Sequence, residues 1–348
     1  MECFSVDESG YTGFDLLNAD QRLQGATAIV ITHEEASRLI DKHFPNLVAP
    51  ELKYGALARR PNNRERLLNL QRDVLAHHKC VTYVCNKRFL LILMFLDYAT
   101  EPYYYKRGIN FYEDGQNYSL GSLLYYTGPT LFGEEAFEAL LVAFQKAVKE
   151  KTPDAINALV LAARACRWQQ LAEALGPIVE ASPECLSAIA APGVSTDAAL
   201  VVLQSLISRM EVMADGPYRV EHDRSKNLLQ YNALLQRFIT HDQAVKFKQS
   251  EIASIKFPLK LSAVTQVDSK ERPAVQLADV LIGAAIEAAN TLAGLRDSGA
   301  DPKELMSLYA DHQIIHLFPS LNFEEQKQFR QGTQAGEVID YFTKHFEK

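Results

Sequence analysis

Cysteine pairs, long apolar runs and a signal sequence are all missing from this chain of 348 residues, and each absence narrows what the protein can be. The five cysteines are odd in number and scattered, without a Cys-x-x-Cys pair, so neither a disulfide framework nor a zinc knuckle is predicted. The longest unbroken apolar run, Phe89–Leu96, falls far short of the roughly 18 residues that span a bilayer. The first residues also lack basic and apolar signal character. We therefore expect a cytoplasmic protein that does not associate with membranes.

Charge is distributed unevenly along the chain. The net charge of -7 argues against indiscriminate binding to nucleic acid. Residues 51–110, however, carry eleven Lys and Arg against five Asp and Glu, whereas residues 130–215 carry six against eleven. Any nucleic acid, DNA or RNA, is therefore expected along residues 51–110. The acidic stretch is a possible surface for a protein partner.

The pattern of apolar residues predicts strands at both ends of a mixed α/β core. The N-terminal strand, 3–10, places Asp7 on one face and Glu8 on the other, because side chains alternate along a strand. Pro273 then opens an apolar helix that should be buried against the sheet. Periodicity predicts further strands at 25–33, 80–87, 218–223 and 259–267, and helices at 63–78, 89–96 and 226–239.

The middle of the chain is predicted to be helical throughout. Helices are indicated at 134–150, 153–175, 183–190 and 196–213, and no strand pattern interrupts them. This block therefore divides the chain into a core of residues 1–129 and 216–296, a helical insertion at 130–215 and a C-terminal helical extension at 297–348.

Four aspartates occupy positions from which their side chains can converge. Asp7, Asp223 and Asp268 each close a predicted strand, and Asp279 interrupts the apolar helix that begins at Pro273. Gathered carboxylates repel one another unless a cation neutralises them. Without a matching His or Cys cluster, oxygen ligands favour Mg²⁺ or Mn²⁺. Two simpler readings stay open, since Asp7 suits an ordinary turn and Asp279 could accept a backbone hydrogen bond from a neighbouring strand.

Several short motifs carry a resemblance to a known family. They are Val-Asp-Glu-Ser-Gly at residues 6–10, Glu-Leu-Lys at 51–53, His-Asp-Arg-Ser at 222–225, and Asp-Ser-Lys at 268–270 followed by Val-Gln-Leu-Ala-Asp at 275–279. Together they resemble the domain-of-unknown-function 3800 family over residues 1–129 and 216–296. The last motif is the most specific of the four. The resemblance implies a ribonuclease-H-like fold, with a mixed sheet flanked by helices, whereas the all-helical insertion and the C-terminal helices lie outside it.

The same resemblance implies a metal-dependent nuclease. Its metal ligands would be Asp7, Asp223, Asp268 and Asp279, which would hold two Mg²⁺ or Mn²⁺ ions for phosphodiester hydrolysis. By the same analogy Glu8, Glu51 and Lys53 become further site residues. The alternative is a catalytically silent binding or regulatory protein that keeps the fold and uses the acidic helical block as its partner surface.

Overall fold

The computed structural model describes residues 1–112, 115–224, 226–247, 255–296 and 301–330, together with 337–338, 341 and 345–346. The predicted C-terminal extension, 297–348, therefore lies partly outside the described residues. Ser225, the last residue of the third family motif, also lies outside them.

Strands and helices alternate in the first and last thirds of the chain. The described residues form eight strands: β1 Glu2–Ser9, β2 Leu23–Val30, β3 Cys80–Asn86, β4 Tyr218–Asp223, β5 Val245–Lys246, β6 Lys256–Phe257, β7 Leu261–Val267 and β8 Ile314–Leu317. The α-helices of the described residues, including those of the middle third, are α1 His33–His43, α2 Tyr54–Ala58, α3 Arg64–His77, α4 Lys87–Ala99, α5 Glu101–Tyr105, α6 Gln116–Phe132, α7 Glu134–Glu150, α8 Pro153–Ala165, α9 Ala172–Val179, α10 Pro183–Ala190, α11 Ala198–Met213, α12 Lys226–Thr240, α13 Pro273–Leu292, α14 Pro302–Met306 and α15 Phe323–Arg330.

Six of the strands form one mixed sheet in the order β7-β4-β1-β2-β3-β8. The first three strands in sequence pair antiparallel, β4 and β7 then continue the sheet parallel to β1, and β8 runs parallel to β3 at the other edge. Strands β5 and β6 form a separate antiparallel pair. The expectation of an α/β protein with a mixed sheet flanked by helices is confirmed, and β1 is an interior strand.

Each face of the sheet is covered by its own hydrophobic core. Phe4 and Val6 of β1 belong to a core shared with α4 and with helices of the segment 130–215, so the helical block packs directly on the sheet. The opposite face carries a second core formed with α1, α3, α13 and α14. The alternation predicted for β1 is therefore observed, with Asp7 on the α13 side.

Helix α13 positions much of the site and is buried against β1 and β2. Gly25 of β2 lets it approach, because a Cβ atom there would lie 2.8 Å from Ile282 Cδ1 and 2.2 Å from the Tyr83 carbonyl oxygen. Among the helices that the structure describes, only α13 has the length and apolar composition to cross a bilayer, with 56% of its most apolar window buried. Burial in the core accounts for that composition.

The helical prediction for 153–175 was wrong in its middle. Helix α8 ends at Ala165, and a 3-10 turn at Trp168–Leu171 precedes α9. Arg167 causes the break, because its backbone N–H donates to the Phe132 carbonyl oxygen at 3.2 Å and its guanidinium donates to the Thr130 carbonyl oxygen at 2.8 Å. These bonds tie the chain to the end of α6 instead of continuing the helix.

Several elements were missed by the sequence pattern, among them α1, α6 and β8. Thr32 caps α1 by accepting the Glu35 N–H at 3.1 Å, so the second strand ends before His33. No helix was predicted for the 17-residue helix α6, which contains three tyrosines. The C-terminal extension is not purely helical, because β8 adds an edge strand to the main sheet through its pairing with β3.

Candidate metal centre

Lys53 lies at the centre of four carboxylates that come from distant parts of the sequence. Its Nζ atom is 3.7 Å from Asp7 Oδ2, 3.7 Å from Asp279 Oδ1, 3.9 Å from Asp223 Oδ2 and 3.9 Å from Glu51 Oε2. We call these four acidic residues the acidic cluster. Because every one of the four oxygen atoms lies within 3.9 Å of the same nitrogen, no two of them can be more than about 8 Å apart.

The sheet and α13 bring the three aspartates together. Strands β1 and β4 are parallel neighbours with Val6 opposite His222, so Asp7 and Asp223 follow at the same edge and on the same face. Asp279 comes from α13, which packs on that face of β1. Glu51 and Lys53 precede the short helix α2, whose first residue contacts Asp279.

One oxygen of each aspartate is anchored by a backbone N–H, and the other is directed toward Lys53. The Glu8 N–H donates to Asp7 Oδ1 at 2.8 Å, and the Tyr54 N–H donates to Asp279 Oδ2 at 2.7 Å. The Ser269 N–H donates to Asp223 Oδ1 at 3.1 Å, while the Ser269 hydroxyl donates to Glu51 Oε2 at 2.9 Å. Backbone N–H groups therefore fix the orientation of each aspartate, and the oxygen that approaches Lys53 is not the one that accepts these bonds.

Burial and mutual repulsion make the cluster electrostatically costly. Burial, reinforced by Asp279 and Asp223, raises the pKa of Asp7 to about 8 against the opposing effect of Lys53. Burial likewise raises the pKa of Asp279. Burial alone would lower the pKa of the Lys53 ammonium, but the surrounding carboxylates outweigh it and the net direction is upward. The ammonium is thus held charged by the acidic cluster.

Asp7 contributes an unsatisfied atom. Its Oδ2 is buried and accepts no hydrogen bond from any residue in the described part of the chain, since Lys53 Nζ is beyond hydrogen-bond distance. A buried acceptor without a partner costs about 1–3 kcal/mol, and more when it is charged. This oxygen is the strongest local indication that a further cation belongs in the cluster.

Two predicted site residues, Asp268 and Glu8, are not among the four carboxylates around Lys53. Asp268 accepts the Lys270 N–H through Oδ1 at 3.1 Å as the N-cap of a 3-10 turn, and its Oδ2 lies 3.7 Å from Arg224 Nη1. Its segment reaches the acidic cluster through the next residue, Ser269. Glu8 is on the opposite face of β1, where its charge opposes the lowering of the pKa of His222 by burial.

Three residues that position the cluster were missed by the sequence reasoning. Gln276 accepts the Leu52 N–H at 2.8 Å and donates to the Ser269 carbonyl oxygen at 2.7 Å, which ties both loops to α13. It precedes Asp279 by three residues and so shares its helix face, which was the available signal. The Ser269 signal was its place inside the Asp-Ser-Lys motif. For the Tyr54 N–H the sequence offered no signal.

Basic side chains surround Glu221, a residue of β4 that lies beside the acidic cluster. Glu221 lies two residues before Asp223 on the same strand face. Its Oε2 is hydrogen-bonded to His33 Nε2 at 2.9 Å. Arg219 Nη2 lies 3.4 Å from Glu221 Oε1, and Arg272 Nε lies 3.8 Å from Glu221 Oε2. Two guanidinium groups and an imidazole thus surround one buried carboxylate next to the cluster.

The donor atoms of the acidic cluster fit a divalent metal ion once Lys53 has left. Within the residues described, no three Asp, Glu, His or Cys side chains are close enough to share an ion as they stand, because Lys53 separates the carboxylates. Mg²⁺ and Ca²⁺ ligands lie about 2.0–2.6 Å from their ion, so the carboxylates would have to close inward as Lys53 leaves. The donors are all oxygen atoms and include the unsatisfied Asp7 Oδ2, a set that fits Mg²⁺ or Mn²⁺.

No protein-family model matches the chain, and the searches of curated proteins and of solved structures also found no match. The fold and the site by themselves define an α/β protein whose mixed sheet holds an acidic cluster around one lysine.

Proposed function

We propose that the protein is a metal-dependent nuclease of the cytoplasm that hydrolyses phosphodiester bonds at the acidic cluster. The observation that carries this proposal is the convergence of Asp7, Asp223 and Asp279 with one anchored oxygen each and a second oxygen directed toward a shared cation position. A purely structural ion pair needs one carboxylate for one ammonium. Even with Asp7 protonated, three carboxylates around a single lysine leave a surplus of negative charge that suits divalent ions.

The topology supports a ribonuclease-H-like fold as part of the proposal. Three antiparallel strands, β3-β2-β1, are followed across the sheet by β4 and β7 parallel to β1, which is the arrangement expected of that fold. The candidate ligands lie on the central strand, on its parallel neighbour and on a helix packed over both. This placement agrees with the family resemblance in the motifs around Asp7 and Asp279.

The residues have distinct proposed roles. When bound, two divalent ions would neutralise the scissile phosphate and lower the pKa of a water molecule. Asp7, Asp223 and Asp279 would hold the ions, with Glu51 as a fourth carboxylate. Lys53, which would leave the cluster, is positioned to contact the phosphate and stabilise its developing charge. Ser269 and the Tyr54 N–H would keep the carboxylates oriented throughout.

The proposed substrate path is narrower than the whole basic segment. Arg59, Arg60, Arg64 and Arg66 follow Lys53 closely in sequence and are exposed, the first two between α2 and α3 and the last two on α3. Farther along, Arg88 pairs with Glu138 and Lys106 with Glu184, so these two cations are engaged by the acidic helical block. We therefore assign the phosphate backbone to the four arginines rather than to all of residues 51–110.

A second candidate function rests on the same lysine. Lys53 already neutralises part of the acidic cluster, as it would in a catalytically silent binding protein whose carboxylates have become structural. In that case Asp279 is an acceptor for the Tyr54 N–H, and partners would bind the acidic helices α7–α11. The two candidates differ in how the protein responds to divalent ions.

Replacing Asp279 by Asn distinguishes them. Asn retains an acceptor for the Tyr54 N–H but lacks the charge that a metal ion requires. For the nuclease we expect Asp279→Asn to be at least as stable as wild type without metal, to show no rise in melting temperature with Mg²⁺, and to lose Mg²⁺-dependent cleavage. The measurements are thermal unfolding with and without Mg²⁺ and cleavage assays on single- and double-stranded DNA and RNA.

Asp73→Asn is the matched control, because Asp73 pairs with Lys42 and His43 outside the cluster. This variant should lose some stability yet keep the full response to Mg²⁺. If Asp279→Asn is instead destabilised with an undiminished metal response, the ligand assignment fails and the silent alternative is favoured.

A further inference from the structure

A cavity of about 330 Å³ lies beyond Tyr54, on the side away from the acidic cluster. It is enclosed by α2, α3, α13 and α14, and none of the four cluster carboxylates lines it. Tyr54 separates the two sites, since its backbone N–H donates to Asp279 and its hydroxyl donates to Glu287 Oε2 at 2.6 Å in the cavity wall. The volume is at the lower end of the range of small-molecule sites.

Acidic side chains dominate the charge of the cavity. The lining includes one guanidinium, Arg64, against four carboxylates: Glu65, Glu287, Asp301 and Glu304. A site with this balance disfavours anions such as phosphate and favours a cation. The cavity therefore differs in net charge from the proposed phosphate path, although Arg64 belongs to both.

Gln71 supplies an acceptor that the folded chain leaves unused. Its side chain lines the cavity and is only 1% exposed, yet its Oε1 accepts no hydrogen bond from any residue described. A buried amide oxygen without a donor is destabilising, and a ligand N–H would satisfy it. The oxygen itself has almost no accessible surface, so a ligand N–H in the cavity would reach it through a rotation of the Gln71 amide.

The remaining wall is apolar. Ala58, Leu67, Leu68 and Leu305 present hydrocarbon surface to the same space. A hydrated inorganic ion gains little from such a wall, whereas the methylene chain of an organic amine would be desolvated against it. The combination calls for a ligand with a short apolar body and several N–H donors.

We propose that this cavity binds a small free organic cation of the alkylamine or alkylguanidinium class. The charged end meets Glu287 and its neighbouring carboxylates, one N–H donates to Gln71 Oε1, and the methylene chain lies along the leucines. The site is separate from the acidic cluster, so the proposal does not depend on nuclease activity.

Titration calorimetry with agmatine and spermidine, at constant ionic strength set by KCl, tests the proposal on the full-length protein. We expect at least one of the two amines to bind saturably, with a dissociation constant below about 1 mM. Gln71→Leu and Glu287→Gln should each weaken that binding about tenfold or more. Glu135→Gln, which changes an exposed carboxylate on α7, should leave it unchanged. Asp279→Asn should also retain it, which separates this site from the nuclease proposal.

An arginine-containing tripeptide presents the same chemistry from a protein side chain. Weaker binding of the tripeptide than of the better free amine supports the assignment, and tighter binding overturns it. The proposal also fails if neither amine binds saturably, or if both cavity variants bind as wild type does. Melting temperatures of the variants, measured alongside, establish that each is folded, and both substitutions nearly conserve volume.

Discussion

Asp7, Asp223 and Asp279 each give one carboxylate oxygen to a backbone N–H and direct the other toward Lys53. Such an arrangement makes the charge state of every member depend on the rest. Asp7 is the most affected, since burial and two neighbouring carboxylates raise its pKa to about 8. The folded protein without metal therefore holds a proton there that the unfolded chain has already released.

A pH prediction follows for Asp7. Between about pH 4 and pH 8 the folded state binds more protons at this residue than the unfolded state, so its contribution to stability falls as pH rises. Measured in EDTA, the free energy of unfolding of wild type minus that of Asp7→Asn should decrease across this window. Denaturant titrations at several pH values check it. A difference that is flat or increases with pH would contradict the raised pKa.

Removing the charge of Lys53 should lower the stability of the metal-free protein and raise its affinity for metal. Lys53→Met leaves four carboxylates without their cation, so the metal-free protein should lose about 1–2 kcal/mol, a discounted range because 33% of the side chain is exposed. The stabilisation by Mg²⁺ should increase, because no internal cation competes. Denaturant unfolding with and without Mg²⁺ measures both. Lys270→Met, an exposed lysine outside the cluster, is the control, and equal Mg²⁺ responses in the two variants would count against competition.

At the scale of elements, the contact between α13 and α2 fixes Asp279 against the Tyr54 N–H. Gly283 makes this contact possible, because a Cβ atom there would lie 2.6 Å from Tyr54 Cβ. A glycine inside an apolar helix indicates a close approach of another group, and here Tyr54 is the group that approaches.

Gly283→Ala should therefore move α2 away from α13. We expect a loss of about 1–3 kcal/mol in the free energy of unfolding, together with a weaker Mg²⁺ response, because Tyr54 can no longer hold Asp279. Gly176→Ala in α9 is the control: a Cβ atom there meets nothing within 4 Å, so that variant should be neutral or slightly stabilised. Equal unfolding energies for the two variants would refute the packing argument.

Strand ends and the long apolar helix were readable from the sequence because their patterns are local. β1, β4 and α13 follow directly from alternation and from the Pro273 start, and their aspartates were expected at one edge for that reason. The position of Asp268 was not readable, because Asp is equally suited to capping a short turn, which is what it does. β8 has only four residues, and its partner, β3, lies more than two hundred residues earlier.

Longer-range packing decided the remaining features. The apolar period runs through residues 153–175 without a stop signal, and only the bonds from Arg167 to the end of α6 reveal the break. Helix α6 contains two glycines and an internal proline, so propensity argued against it. Lys53 lies where the ends of β1 and β4, helix α13 and the segment before α2 meet, and no local sequence pattern encodes that meeting.

At the scale of the whole molecule, the four exposed arginines that follow Lys53 in sequence form the proposed nucleic-acid path, while the acidic helices engage Arg88 and Lys106. If nucleic acid follows this path, binding should weaken steeply with salt. Changing Arg59, Arg60, Arg64 and Arg66 together to Gln should reduce the slope of log K against log salt by about 0.7–0.9 for each arginine that contacts a phosphate. Fluorescence anisotropy with labelled oligonucleotides in Ca²⁺ measures the slope.

Arg59 and Arg60 changed together to Gln lose two positive charges, and Lys146 and Lys149 of α7, changed together to Gln, are the matched control. That variant should keep the wild-type slope. A slope that is equally reduced in both variants would show that the arginines act only through total charge and not as a path.

The central claim is that the acidic cluster binds divalent ions, and a crystal structure of the protein soaked in Mn²⁺ with anomalous data tests it most directly. We predict anomalous peaks bounded by Asp7, Asp223 and Asp279, with Asp7 Oδ2 as a ligand and Lys53 Nζ displaced from its place among the carboxylates. Absence of a peak at saturating Mn²⁺, with Lys53 still 3.7 Å from Asp7 and Asp279, would contradict the account.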